Sequence, residues 1–108
     1  MAYKTQSLDV FNRQLKRLAK KYPSLKKEIL NLVSEIESNP FTGTPLGKNC
    51  FKIRLAIQSK GKGKSGGARV ITCVKIVKET IYFLSIYDKS EQPDIDDDDL
   101  NYLVKLIP

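Results

Sequence analysis

Residues 51–72 read FKIRLAIQSKGKGKSGGARVIT, two apolar runs on either side of a loop of Lys, Gly and Ser. Over residues 51–57 the pattern alternates: Phe51, Ile53, Leu55 and Ile57 share one side, and Lys52, Arg54 and Ala56 the other. A period of two is that of a strand with one face buried. Residues 68–77 are rich in β-branched side chains, which favours a second strand. With Val70, Val74 and Ile76 facing the core, Arg69 faces the other way, beside Lys52 and Arg54. Lys60, Lys62 and Lys64, spaced by Gly61 and Gly63, fill the loop. The stretch predicts a long hairpin with a cationic outer face and a cationic end.

Upstream, Leu8, Phe11, Leu15, Leu18 and Tyr22 recur at three and four residues, the stripe of a helix that Pro23 ends. Leu25, Ile29, Leu32, Val33 and Ile36 form the stripe of a second helix, which runs to about Ser38 and stops at Asn39 and Pro40. Arg13, Lys16, Arg17, Lys20 and Lys21 surround the first stripe. They suit a solvated face, or contacts to RNA phosphates or an acidic partner. Residues 2–7 fit a short edge strand, and residues 39–50 a Pro/Gly/Asn-rich connection.

Downstream, residues 80–87 predict a third strand. Both of its alternating sets are apolar, so periodicity assigns no face to Tyr82 or Tyr87. Leu100, Leu103, Val104 and Ile107 make a short final helix. The acidic run 96–99 sits at its start, where carboxylates cap free amides and meet the positive end of the dipole. These elements give two antiparallel N-terminal helices, a hairpin with a third strand and a short C-terminal helix, as one domain over residues 1–108.

The net charge is +7 and unevenly spread. Residues 1–90 hold eighteen Lys or Arg against six Asp or Glu, whereas residues 91–108 hold one Lys against six acidic residues. A basic body suits a polyanionic partner, nucleic acid above all. No apolar run is long enough to span a membrane, and the N-terminus lacks the apolar core of a signal peptide, so a cytoplasmic protein is expected. In that compartment Cys50 and Cys73 are expected to stay reduced.

The chain has no His, which removes the commonest general acid–base residue and the commonest metal ligand. Two cysteines without His do not make a zinc site. Gly63-Lys64-Ser65 imitates the end of a P-loop, but Gln58 stands where that motif needs its first Gly. What remains is a cluster of Arg and Lys. Such a cluster binds phosphates through charge-assisted hydrogen bonds. It also suits RNA cleavage, in which a 2′-hydroxyl attacks the adjacent phosphate and fixed cations stabilise the charge that grows there. Composition alone places binding ahead of catalysis.

These residues resemble the RelE/ParE superfamily of bacterial toxins, and within it the RelE and HigB-like members. The resemblance is carried by FNRQLKRLAKKYP (11–23), the Asn39-Pro40 turn, KIRL (52–55), SKGKGKSGGARVIT (59–72) and LSIYDKSE (84–91). Together they cover most of the chain in the family's order, and KGKGKSGGAR is the most specific block. The resemblance implies an α+β fold, two antiparallel N-terminal helices packed on a small twisted antiparallel sheet with a short C-terminal helix, and the toxin of a type II toxin–antitoxin pair. Such a toxin is a ribosome-dependent endoribonuclease that cuts mRNA in the A site, without metal or cofactor. The partners implied are a cognate antitoxin, the ribosome and mRNA, with no membrane.

Carried over by position, Lys52 and Arg54 occupy the two cationic places on the first hairpin strand. Arg54 stands where RelE has the lysine that serves as general base, and an Arg is too basic for that task. The proton then goes to Lys52, Lys62 or Lys64, or charge stabilisation suffices. Arg69 would bind the scissile phosphate. Lys89 falls at the place of an Arg assigned as general acid, and Tyr87 would substitute for a catalytic Tyr without a counterpart. Lys60, with Arg13, Lys16, Arg17 and Lys20, would bind RNA or the ribosome. Two alternatives stand beside this one. A ParE-type DNA gyrase inhibitor is disfavoured by the KGKGK loop and Arg69. A degenerate member that only binds RNA or antitoxin is favoured by Arg54 and Lys89.

Overall fold

The computed structural model describes residues 3–61, 63 and 65–108. β1 (Lys4–Ser7) leads into α1 (Asp9–Lys21) and α2 (Leu25–Ser38). β2 (Thr44–Gly47), β3 (Cys50–Leu55), β4 (Ala68–Lys75) and β5 (Thr80–Asp88) follow, and α3 (Asp97–Lys105) ends the chain. The strands form one sheet in the order β1-β5-β4-β3-β2. β2 to β5 pair antiparallel, but β1 runs parallel to β5, with Lys4 opposite Thr80. The α+β architecture is as expected, yet the sheet is mixed. Strand direction leaves no trace in the alternation of side chains, so the parallel pairing of β1 is visible only in the structure.

α1 and α2 cover one face. Phe11, Leu18, Leu25, Ile29, Leu32 and Ile36 pack there on Phe51, Ile53, Val70, Val74, Ile81, Phe83 and Ile86. Phe11 meets Phe83 edge-on, with ring centroids 5.4 Å apart. On the other face, Leu100 and Leu103 of α3 cover Cys50, Ile71, Cys73, Tyr82, Leu84 and Tyr87. Asp96 caps α3 by accepting the Asp99 amide at 2.8 Å, the role its acidic start predicts.

With helices on both faces, all nine residues of β5 are buried, which is why both of its alternating sets are apolar. β5 also carries a bulge: Ile71 lies opposite Ser85, but Thr72 lies opposite Phe83, so Leu84 is skipped. The Gln14 side chain of α1 fills the irregularity. Its oxygen accepts the Ile86 amide at 3.0 Å and the Ser85 hydroxyl at 3.2 Å.

The connection 39–50 hides β2, whose four residues include Pro45 and Gly47. Pro is tolerated there because β2 is an edge strand. Lys48 and Asn49, at φ 56° and 61°, make the tight turn into β3, the geometry that two-residue hairpins need. Ile76, expected in the core, lies beyond the end of β4 and is half exposed.

Gly67 enters β4 where no side chain fits. A Cβ there would sit 2.1 Å from the Leu55 carbonyl oxygen. Gly67→Ala is therefore expected to cost roughly 1–3 kcal/mol through overpacking. The melting midpoint should fall by at least about 4 °C, and an unchanged midpoint would contradict this close approach.

Candidate functional site

Arg54 on β3, Arg69 on β4 and Tyr87 on β5 lie side by side in register and form one row across three strands. The Val74 amide bonds the Asn49 carbonyl, which fixes the phase of the β3–β4 ladder. Arg54 and Arg69 then form a non-hydrogen-bonded pair, the kind whose side chains approach most closely. Like charges directly opposite are unfavourable in a sheet. An anion between them reverses that sign, so the pair is suited to a phosphate.

Arg69 is buried, and its guanidinium donates to the carbonyls of Ala68 at 3.1 Å and Ser65 at 3.3 Å. These bonds orient a fixed charge at the base of the loop. Arg54 is exposed, so its charge is more screened. The Tyr87 hydroxyl is buried without a hydrogen-bond partner among the described residues. Burial first, then the charge of Asp94, push its pKa up to about 12, against the opposing charge of Arg69. Tyr87 is thus a protonated phenol at neutral pH.

Lys52 lies two residues from Arg54 on the same face, and its ammonium donates to Asp94 Oδ1 at 3.1 Å. The Ile95 amide and then Lys52 hold the Asp94 carboxyl below its ordinary value. Asp94 therefore brings a negative charge among the cations. Lys89 follows β5; its ammonium donates to the Pro93 carbonyl at 2.8 Å and folds the segment that carries Asp94.

Lys60 does not point outward. Its ammonium, nine-tenths buried, bonds the fully buried Asp88 at 2.5 Å and lies 5.6 Å from the centre of the Tyr22 ring. The Tyr22 hydroxyl donates to the other Asp88 oxygen at 2.7 Å, and the Ser90 amide and hydroxyl complete the shell. Burial alone would push Asp88 up, but these donors outweigh it and hold the carboxyl well below the usual carboxylate range. Beside them, the Gln58 amide bonds Glu28 at 2.8 Å and the Ser59 amide bonds Ser24 at 2.9 Å. The root of the cationic loop is thereby docked on the start of α2. Lys62 and Lys64 lie outside the described residues.

Arg13, Lys16, Arg17 and Lys20 are exposed on α1, which packs on the opposite face of the sheet from the arginine row. Arg17 bonds Glu91 through both of its terminal nitrogens, at 3.2 and 3.5 Å. The fold therefore brings Lys52, Arg54, Arg69, Tyr87 and Lys89 to one side, and keeps the α1 cations and Lys60 apart from them.

A family model for the RelE toxin of the RelE/RelB toxin–antitoxin system matches residues 9–107. This chain belongs to the RelE toxin family. Solved structures show the same fold at low sequence identity. A RelE toxin of E. coli carrying two Arg-to-Ala substitutions, in the free state, superposes with a TM-score of 0.67 at 17% identity, covering 100% of both chains. The RelBE2 toxin–antitoxin complex of Mycobacterium tuberculosis gives 0.59 at 15% identity, over 82% of this chain and 99% of the other. The intact E. coli RelBE complex gives 0.51 at 17% identity, over 81% and 96%.

Two parts of this RelE-family chain escape a sequence reading. Asp94 sits in a short polar stretch and joins the site through its bond to Lys52 and its charge beside Tyr87. Asp88 looks like the polar end of a strand, and its buried partners are 28 and 66 residues away.

Proposed function

We propose that this chain is a ribosome-dependent mRNA endonuclease, the toxin of a type II toxin–antitoxin pair. The carrying observation is the Arg54–Arg69–Tyr87 row in register across three strands, with Lys52 and Lys89 beside it, in a chain without His. In this reading the 2′-hydroxyl of one nucleotide attacks the adjacent phosphate. Arg69 and Arg54 stabilise the charge that grows on the phosphoryl oxygens. In this reading Tyr87, protonated at neutral pH, gives a proton to the leaving 5′-oxygen once bound substrate uncovers its buried hydroxyl. Neither Arg can accept the proton of the attacking hydroxyl, and the Lys52 ammonium paired with Asp94 already carries its own, so the proton goes to water and charge stabilisation by the arginines drives the step. A cognate antitoxin would hold the toxin inactive, and the charge of +7 suits a partner with an acidic or amphipathic segment.

Primer extension on a reporter mRNA in cells that express the protein tests this reading. Cuts at in-frame codon positions that require translation are the expected result. Growth arrest with intact mRNA would overturn it.

Asp94 makes a further expectation specific. Its carboxylate competes with substrate phosphate for Lys52. Asp94 is largely exposed, so the pair is worth at most about 1 kcal/mol. Asp94→Asn should then lower KM for ribosome-bound mRNA by no more than about fivefold. A raised KM would show that Asp94 helps to hold the site.

A further inference from the structure

Cys50 and Cys73 are used neither by the arginine row nor by the loop anchor. Both are fully buried and free. They face each other directly across β3 and β4. The Asn49–Val74 hydrogen bond one step away makes Cys50–Cys73 a non-hydrogen-bonded pair. Such pairs have Cα atoms about 4.5 Å apart, within the range that a disulfide spans without backbone movement. Both thiols also converge on one acceptor, the Lys48 carbonyl, each at 3.7 Å. The pair closes residues 51–72, the hairpin that carries Lys52, Arg54, Arg69 and the cationic loop.

We propose that Cys50 and Cys73 form a reversible cross-strand disulfide when the folded protein meets a hydroperoxide, a covalent clasp at the root of the cationic hairpin. One cysteine thiolate attacks a peroxide oxygen; the O–O bond breaks, and hydroxide leaves as water after taking up the thiol's proton. The sulfenic acid so formed is attacked by the second cysteine sulfur. The S–S bond forms, the S–O bond breaks, and the hydroxyl leaves as a second water with the second thiol's proton. Two thiols are oxidised to one disulfide, and one hydrogen peroxide is reduced to two waters.

Buried thiols react slowly unless something uncovers them. Here the cover is α3, whose Leu100 and Leu103 belong to the same apolar cluster. α3 has nine residues, too few to hold as a helix away from its packing. It is tied to the β2–β3 turn through Lys48 Nζ and Asn101 Oδ1, 2.5 Å apart. Local opening of α3 uncovers the sulfurs without unfolding the sheet. In the packed pair the hydrogen bond between the sulfurs, then Lys75, draws the Cys73 thiol below its ordinary value, and the same bond pushes Cys50 above its own, which marks Cys73 as the sulfur that attacks first.

This proposal stands apart from the RNA-cleavage reading, and its test needs no ribosome. The reduced full-length protein is treated with hydrogen peroxide under native conditions, then denatured, alkylated and analysed by mass spectrometry without reductant. The expected product is a chain lighter by two hydrogens, with neither cysteine alkylated and a Cys50–Cys73 linked peptide that dithiothreitol releases. Its melting midpoint should rise, because the clasp restricts the unfolded hairpin. Cys50→Ala and Cys73→Ala should each abolish the linked peptide. Three results would overturn the proposal: two alkylated thiols after treatment, sulfinic or sulfonic acids without a linked peptide, or crosslinking only after denaturant is added.

Discussion

Arg69→Gln is expected to slow mRNA cleavage on the ribosome by a factor on the order of 10²–10³, the usual effect of removing one fixed donor from a transition-state oxyanion. Arg69 is buried and oriented by two backbone carbonyls, so its charge acts where water screens little. Arg54, its exposed neighbour across the strand pair, should matter less, and Arg54→Gln is expected to cost about tenfold or less because its charge is screened. Gln at position 69 keeps a polar side chain for the Ala68 and Ser65 carbonyls, so the fold should survive with a modest loss of stability. The measurement is single-turnover cleavage on programmed ribosomes, at a temperature well below the melting midpoint of each variant. A folded Arg69→Gln protein that cuts at the wild-type rate would remove Arg69 from the site and with it the proposed chemistry.

That the cations should gather on a hairpin was legible in the sequence, because β3 has one face on the helices and, beyond the buried Cys50, the other toward solvent. Phe51 and Ile53 go inward while Lys52 and Arg54 go outward, and the alternation records it. β5 kept no such record. It is covered on both sides, and its bulge at Leu84 shifts the phase halfway along, so Tyr82 and Tyr87 share a face although they differ by an odd number. β2 was missed because four residues with a Pro and a Gly have the composition of a loop. The site divides in the same way. Residue type identified the candidate phosphate binders, but the direction of a long side chain is set by distant partners. Lys60 lies in a Gly-rich loop and reads as a cation open to RNA or the ribosome, yet Asp88, 28 residues later, turns it inward.

Asp88→Asn should therefore destabilise the protein by about 3–5 kcal/mol at neutral pH, the cost of leaving one member of a buried ion pair without its counter-charge. The Lys60 ammonium stays nine-tenths buried, and Asn cannot neutralise it. Tyr22→Phe removes one donor to Asp88 but leaves the ion pair, and is expected to cost less, about 1.5–3 kcal/mol. The pH dependence follows from the sign of the Asp88 shift. Its carboxyl is held below the usual range in the folded protein, and in the unfolded chain it titrates near about 3.9. The stabilisation is thus fully present above the unfolded value and is lost as pH falls below it toward the folded one. Urea midpoints of wild type and Asp88→Asn, measured from pH 7 down to about 2, should lie far apart and parallel above about pH 4 and draw progressively closer below it. A constant gap between them would mean that the carboxylate charge is not what holds Lys60. The same contact anchors the root of the cationic loop to Tyr22 and the start of α2. Loss of cleavage by Asp88→Asn, at a temperature where it is still folded, would tie that anchor to the placement of the proposed phosphate-binding residues.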